Sequence, residues 1–203
     1  MTEPQQIRAV FDAQTITVYQ AFRSQIAEPA VAAQRFVPPF SVNRTTWIKP
    51  SFGWMMYRSG WATKPGQEHI LAIRIRRDAW ESALDRAVLT TFSPKKAAGR
   101  GYADREAWQR AFKVAPVRVQ WDPERSLRGG DLPYRSIQVG LTRLIAPEYN
   151  DWIVAIDDIT GLVHRAHAAV RAGRMDRARQ LAPRERLYPV PEDRFAHLGL
   201  HPG

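Results

Sequence analysis

Residues 44–61 read RTTWIKPSFGWMMYRSGW, and the fold turns on how this stretch is parsed. Thr45 to Lys49 forms a short extended piece. Pro50 suits the first turn of a helix, where its missing N–H would be unpaired anyway. Ser51 to Arg58 then makes about two helical turns before Gly60 stops them. Ser51, Met55 and Arg58 share one helical face, Phe52, Met56 and Ser59 another, with Trp54 and Tyr57 between. The spacing assigns two jobs to this strand-to-helix junction. Trp47, Phe52, Trp54 and Met55 are expected to hold the core, which leaves Arg44, Lys49, Ser51, Tyr57 and Arg58 for chemistry. A helix start offers free backbone N–H groups, and with Lys49 and Ser51 beside them it suits a phosphate. An aromatic core helix flanked by snorkelling cations fits the same residues.

On the N-terminal side, Ile7 to Phe11 and Thr15 to Phe22 read as strands separated by a turn at Asp12-Ala13-Gln14. Ile16, Val18, Gln20 and Phe22 fall on one face of the second. Ser24 to Gln34 has helical composition despite Pro29, and a loop surrounds Pro38-Pro39. On the C-terminal side, Ile70 to Arg76 (ILAIRIR) alternates cleanly. A helix follows from Asp78 through Val88, with Trp80, Ala83, Leu84 and Ala87 at helical spacing. Thr90 to Tyr102 shifts to Pro, Lys, Gly and Arg and reads as a mobile loop. Asp104 to Phe112 is a short amphipathic helix, Val117 to Trp121 and Ser136 to Leu141 are strands, and Asp151 to Ala172 is mostly helical. The strands back their apolar faces with Arg74, Arg76, Arg118, Gln120 and Gln138. One side of the sheet is therefore expected to carry all five, either as a solvated face or as the lining of a cleft for an anion.

Short strands and helices mix without regular βαβ alternation, and no glycine-rich turn follows a strand in a dinucleotide-binding or P-loop pattern. These features predict an α+β fold: a single compact domain over residues 1–188 with a mixed or largely antiparallel sheet and packed helices. Residues 189–203 form a Pro-rich C-terminal tail, and the chain from Pro183 onward reads as an extended, surface-hugging end.

At 203 residues, with 44% hydrophobic and 25% charged residues, the chain lies in the ordinary globular range. Cysteine is absent, which excludes a disulfide framework, a thiolate metal site and a cysteine nucleophile. No apolar run reaches the roughly 18 residues of a membrane-spanning helix, and the N-terminus lacks the apolar stretch of a signal peptide. A cytoplasmic location with no membrane partner is expected. The net charge of +10 suggests an anionic partner, nucleic acid among them. The charge is nevertheless spread out, and 25 of the 30 basic residues are Arg, a skew that a GC-rich coding sequence produces by itself. His164 and His167 lie at i, i+3 on a helix, but no acidic third ligand stands at telling spacing. A metal is not expected.

Five pieces, IRAVFDAQTITVYQAF, RTTWIKPSFGWMMYRSGW, HILAIRI, VQWDPER and YRSIQVGL, occur in this order between Ile7 and Leu187. Together they resemble the family called domain of unknown function 4291. That resemblance implies a compact domain and, by itself, no activity. A more distant resemblance is to the NAD-using ADP-ribosyltransferase superfamily. There a His or Arg stands on an early strand, a Ser or Thr with a following Tyr where a strand enters a helix, and a polar residue on a late strand. The resemblance implies catalytic roles for Ser51, Tyr57 and Gln138, with Arg8 on the first strand. It also implies NAD as cofactor, held by Trp54 and the neighbouring aromatics at the nicotinamide and by Arg8, Arg44, Lys49 and Arg58 at phosphate. Gln138 departs from the commoner Glu and cannot supply that residue's negative charge. The expected function is an NAD-dependent transferase acting on nucleic acid or another phosphorylated substrate. The alternative is a non-catalytic RNA- or DNA-binding module that stacks bases on Trp and Tyr and tracks phosphates with Arg.

Overall fold

The segment Thr46–Lys49 joins two sheets. Thr46–Ile48 pairs antiparallel with Val139–Leu141 in one sheet, and Lys49 bridges Tyr19 in the other. The computed structural model describes residues 3–92, 102–190 and 194–200. Its elements begin with β1 (Gln5–Gln6), β2 (Arg8–Ala9), β3 (Thr15–Phe22), α1 (Ser24–Ala33), β4 (Thr46–Ile48) and α2 (Phe52–Ser59). The chain continues through β5 (His69–Arg76), α3 (Arg77–Asp85), β6 (Ala87–Leu89), α4 (Arg105–Val114), β7 (Val117–Arg125) and β8 (Asp131–Leu141). It ends with α5 (Tyr149–Trp152), β9 (Ile153–Asp158), α6 (Thr160–Arg171), α7 (Met175–Leu181) and β10 (Arg186–Leu187).

The larger sheet runs β1-β8-β7-β6, with β4 also paired to β8, and the smaller runs β3-β5-β9. β2 and β10 form a separate antiparallel pair. Most pairings are antiparallel, while β1–β8 and β6–β7 are parallel. The arrangement is the mixed, largely antiparallel α+β domain that the sequence predicts.

The main core includes Ile16 and Val18 of β3, Leu71, Ile73 and Ile75 of β5, and Val117, Val119, Ile137, Val139 and Leu141 of the larger sheet. Period-2 alternation delivers these residues to one face of each strand. The opposite face of the smaller sheet presents Tyr19 and Ile70 to Phe52, Met55 and Met56 of α2 and Val163 of α6. Burying each of those three α2 side chains contributes about 2 kcal/mol, which secures a helix too short to persist alone.

Two expected helices are shorter than the pattern suggests. The one expected from Asp78 through Val88 ends at Asp85, and Ala87–Leu89 becomes the parallel strand beside Val117–Val119. The stretch Asp151 to Ala172 is split by β9, which takes the edge of the smaller sheet beside β5. Short apolar runs such as AVL and IVAI satisfy either periodicity, and tertiary pairing decides between them. The residues expected on one polar face also separate. Arg118, Gln120 and Gln138 belong to the larger sheet, whereas Arg74 and Arg76 project, exposed, from β5 of the smaller one. Most of the loop expected at Thr90 to Tyr102 lies outside the described residues. Beyond residue 188, expected as an extended end, Phe195, Leu198 and Leu200 are buried in the main core. Trp121 donates to the Leu198 carbonyl at 2.9 Å.

Candidate functional site

Where β4 crosses from one sheet to the other, the sheets leave a cavity of about 570 Å³. β3 contributes Gln20, β4 and its flanks Arg44, Thr46, Trp47 and Lys49, α2 Trp54, Met55 and Arg58, and the larger sheet Gln120 and Gln138. Pro65, Gly66 and Gln67 close one rim. Thus Arg44, Lys49, Trp54 and Arg58 of the segment 44–61, together with Gln138 from the distant β8, line one concavity.

The lining groups differ in what they have free. Gln20 is committed: its amide donates to Thr46 Oγ1 at 2.9 Å and the Trp47 carbonyl at 3.1 Å, and it accepts from the buried Tyr149 hydroxyl at 3.1 Å. Gln120 donates to Asp122 Oδ1 at 2.7 Å. Gln138, directly opposite Gln120 in the ladder, makes no side-chain hydrogen bond among the described residues. Arg44 is exposed and likewise unpaired among them. Arg58 makes only a 3.3 Å bond to Gln67. The Trp47 ring packs against Gly140, where a Cβ would come within 2.8 Å of it.

Lys49 is the unusual member. It is 1% exposed, yet it forms part of the cavity wall. Its Nζ lies 3.0 Å from Asp122 Oδ2 and 3.5 Å from the centre of the Trp54 ring. Burial pulls its amine down to about 8, against the opposing pull of Asp122 and, more weakly, Glu124.

The start of α2 is occupied by the protein itself. Ser51 is the N-cap, as its type favours, and its Oγ accepts from the Trp54 N–H at 3.1 Å while donating to Glu124 at 2.7 Å. The Phe52 N–H donates to Glu185 Oε1 at 2.6 Å. These first-turn donors are therefore spent within the fold rather than held open for a phosphate. Pro50 precedes the cap instead of opening the helix. Of the four residues expected to hold the core, Phe52 and Met55 do so, while Trp47 and Trp54 are half-buried in the cavity wall.

Ser51, Tyr57 and Arg8 do not line the cavity. Ser51 is 1% exposed beneath α2, and Tyr57 is 48% exposed, with Arg125 stacked 4.2 Å from its ring centre. Arg8 sits on β2, 3.4 Å from Gln6 Oε1 and 5.7 Å from the Tyr134 ring centre. His167 stacks against Trp61 at 5.0 Å, and no group of three or more metal-ligating side chains occurs among the described residues. Trp61 and Ala62 both adopt left-handed backbone, at φ 60° and 63°. Such geometry costs roughly 1 kcal/mol or more per residue. It turns the chain sharply after α2, towards the rim residues Pro65–Gln67.

Sequence reasoning missed Asp122, Glu124 and Glu185. The first two had a signal, because Gln120, Asp122 and Glu124 alternate along β7 on the face opposite Val117, Val119 and Trp121. Glu185 had none, since nothing local ties a residue after α7 to the start of α2.

The architecture is that of an α+β protein with two packed sheets and a cationic, amide-lined cavity at their seam. A family model described as Domain of unknown function (DUF4291) matches residues 6–188, and the chain belongs to that family. No curated protein matches the chain. No helix among the described residues is long and apolar enough to cross a membrane.

Proposed function

We propose that the cavity binds a nucleotide-type ligand and that the protein is an NAD-dependent ADP-ribosyltransferase-like enzyme acting on nucleic acid or another phosphorylated substrate. The observation that supports this reading is the convergence of Arg44, Arg58, Trp47, Trp54 and Gln138 on one cavity. Arg44 and Arg58 contribute exposed guanidinium groups whose forked donors suit a pyrophosphate. The half-buried indoles offer apolar walls for a planar ring, and the unbonded Gln138 amide can both donate to and accept from ribose or carboxamide groups. Bound NAD supplies an ADP-ribosyl group whose bond to nicotinamide is weak enough to break. The chain's own residues then bind, orient and exclude water. In this reading Gln138 orients the attacking group, Trp54 and Trp47 flank the ring, and Ser51 acts indirectly by fixing α2. Calorimetric titration with NAD and with ADP-ribose tests the proposal. Saturable binding that weakens in Arg44→Ala is expected, and absence of binding by both at millimolar concentration overturns it.

A second reading, a non-catalytic module for single-stranded nucleic acid, is favoured by the exposed Tyr57 ring stacked with Arg125 outside the cavity. It predicts steeply salt-dependent oligonucleotide binding that Tyr57→Ala weakens and that excess ADP-ribose leaves unchanged.

A further inference from the structure

We propose that Lys49 is the proton-accepting residue of this cavity, held in place by Asp122 and Gln120, and that it takes its proton from a hydroxyl of a substrate seated against Gln138. The transfer step rests on the ADP-ribosyltransferase reading; the proton-exchanging amine does not.

A lysine meant to clamp phosphate is best placed in the open, exposed to solvent, as Arg44 and Arg58 are. Lys49 is placed in the opposite way. Its charge is withdrawn from water, one N–H is committed to Asp122 at 3.0 Å, and the Trp54 ring covers another side at 3.5 Å. Asp122 is itself fixed, because Gln120 Nε2 holds its second oxygen at 2.7 Å. This chain of contacts sets the amine in one position while leaving it in the wall of an open cavity. Gln138 lies on the same face of the larger sheet, one ladder position beyond the Ile48–Val139 pair. Ser136, directly across from Asp122, has a buried Oγ with no partner among the described residues, so polar capacity remains on this face.

Burial brings the amine down to about 8: it outweighs Asp122 and Glu124 from β7, which favour the ammonium form, and Arg135 from β8 adds to it. Neutral amine is therefore present at physiological pH, which an ordinary lysine does not provide. The step balances without an added redox partner. The hydroxyl oxygen forms a bond to the ribose C1′, the C1′–N bond breaks, and nicotinamide leaves with that electron pair. The hydroxyl proton passes to the Lys49 lone pair.

The chain has five lysines, so acetylation by acetic anhydride can be followed at each by peptide mass spectrometry across a pH series on the full-length protein. Lys49 is expected to reach half its limiting rate near pH 8, well below a reference lysine peptide. Asp122→Asn removes the charge that favours ammonium and is expected to raise the Lys49 rate at pH 7 by about fivefold or more. Lys49→Arg cannot release its proton; it is expected to keep ADP-ribose binding and to lose turnover. A Lys49 that titrates with the reference peptide, or that is not labelled at any pH while the protein is folded, overturns the inference. If Lys49 titrates near 8 but ADP-ribose does not bind, the transferase reading fails and the reactive amine stands. If ADP-ribose binds and Lys49 titrates normally, the reverse holds.

Discussion

Lys49, buried, and Glu185, half-buried, both lie beside the start of α2, and desolvation pushes them towards a similar value from opposite directions. Lys49 comes down to about 8 and Glu185 goes up to about 8, in each case chiefly by desolvation. Their surroundings differ. Lys49 has an ion-pair partner and forms part of a cavity wall. The Glu185 carboxyl accepts the Phe52 N–H, has the like charge of Glu124 nearby, and lines no part of that cavity. The contrast shows that a perturbed titration does not mark a functional group by itself. Access to a cavity separates a group that can exchange protons with a ligand from one that serves the fold.

The backbone contact between α2 and β7 maintains both environments, so breaking it should produce the largest effect. A Cβ at Gly53 would stand 2.3 Å from the Arg125 carbonyl oxygen, a backbone atom that cannot swing away. Gly53→Ala is expected to cost about 3 kcal/mol through this overpacking, read as a lower urea midpoint, and to abolish ADP-ribose binding. Gly140→Ala meets the Trp47 side chain instead, at 2.8 Å. That ring lies in the cavity wall, so the expected stability loss is smaller while ligand binding still falls. Equal destabilisation by the two substitutions would contradict the rigid α2–β7 contact.

The pH dependence of stability separates the two desolvated groups. Glu185 keeps its proton in the folded state between 4.5 and about 8, where the unfolded chain has released it, so stability falls as pH rises through this window. Lys49 has released its proton between about 8 and 10.5, where the unfolded chain still holds one, so stability rises with pH there. Together these contributions place a minimum near pH 8. Glu185→Gln should remove the fall on the acid side and stabilise the protein above pH 8 by on the order of 2 kcal/mol. Lys49→Met should remove the rise on the alkaline side. Chemical denaturation across pH 5–10 checks both (roughly the span between the two reference values), and slopes that survive these substitutions would show that other groups set the profile.

The same contrast explains how much was legible in the sequence. Residues 44–61 announced a strand and a helix because Pro50 and Gly60 are local signals that need no partner, although Ser51 was read as helical where it is the cap. Arg44, Lys49, Trp54 and Arg58 converge because the crossing strand and helix carry them together, which chain spacing can foresee. Gln138 joins them only through the β4–β8 pairing, and its position on a polar strand face was visible while its neighbour was not. The error of placing Arg74 and Arg76 beside Arg118 has the same origin. Alternation assigns a residue to a face, but it does not say which sheet the strand enters. The strands at Ala87–Leu89 and Ile153–Asp158 were hidden because short apolar runs take their identity from pairing partners distant in sequence. Burial of Lys49 ran against residue type, since lysine is rarely buried unless paired, and its partner lies 73 positions away.

The smallest effects are expected at the rim, where they are also the most diagnostic. Arg44 and Arg58 are exposed, and neither is in an ion pair among the described residues. Replacing either by Ala should leave unfolding within about 0.5 kcal/mol of the parent, as is usual for surface sites. Each guanidinium that meets a phosphate should still be worth about tenfold in ADP-ribose affinity, or about 1.4 kcal/mol. Because the two lie at the mouth of one cavity, a ligand spanning both should make the double substitution less than additive if they share a single phosphate. It should be additive if they hold separate ones. The interaction energy from that double-mutant cycle, measured by calorimetry, therefore distinguishes a pyrophosphate laid across the rim from a single anion caught between two arginines. Substitutions that alter stability without altering binding would place these arginines with Glu185, among the residues that serve the fold.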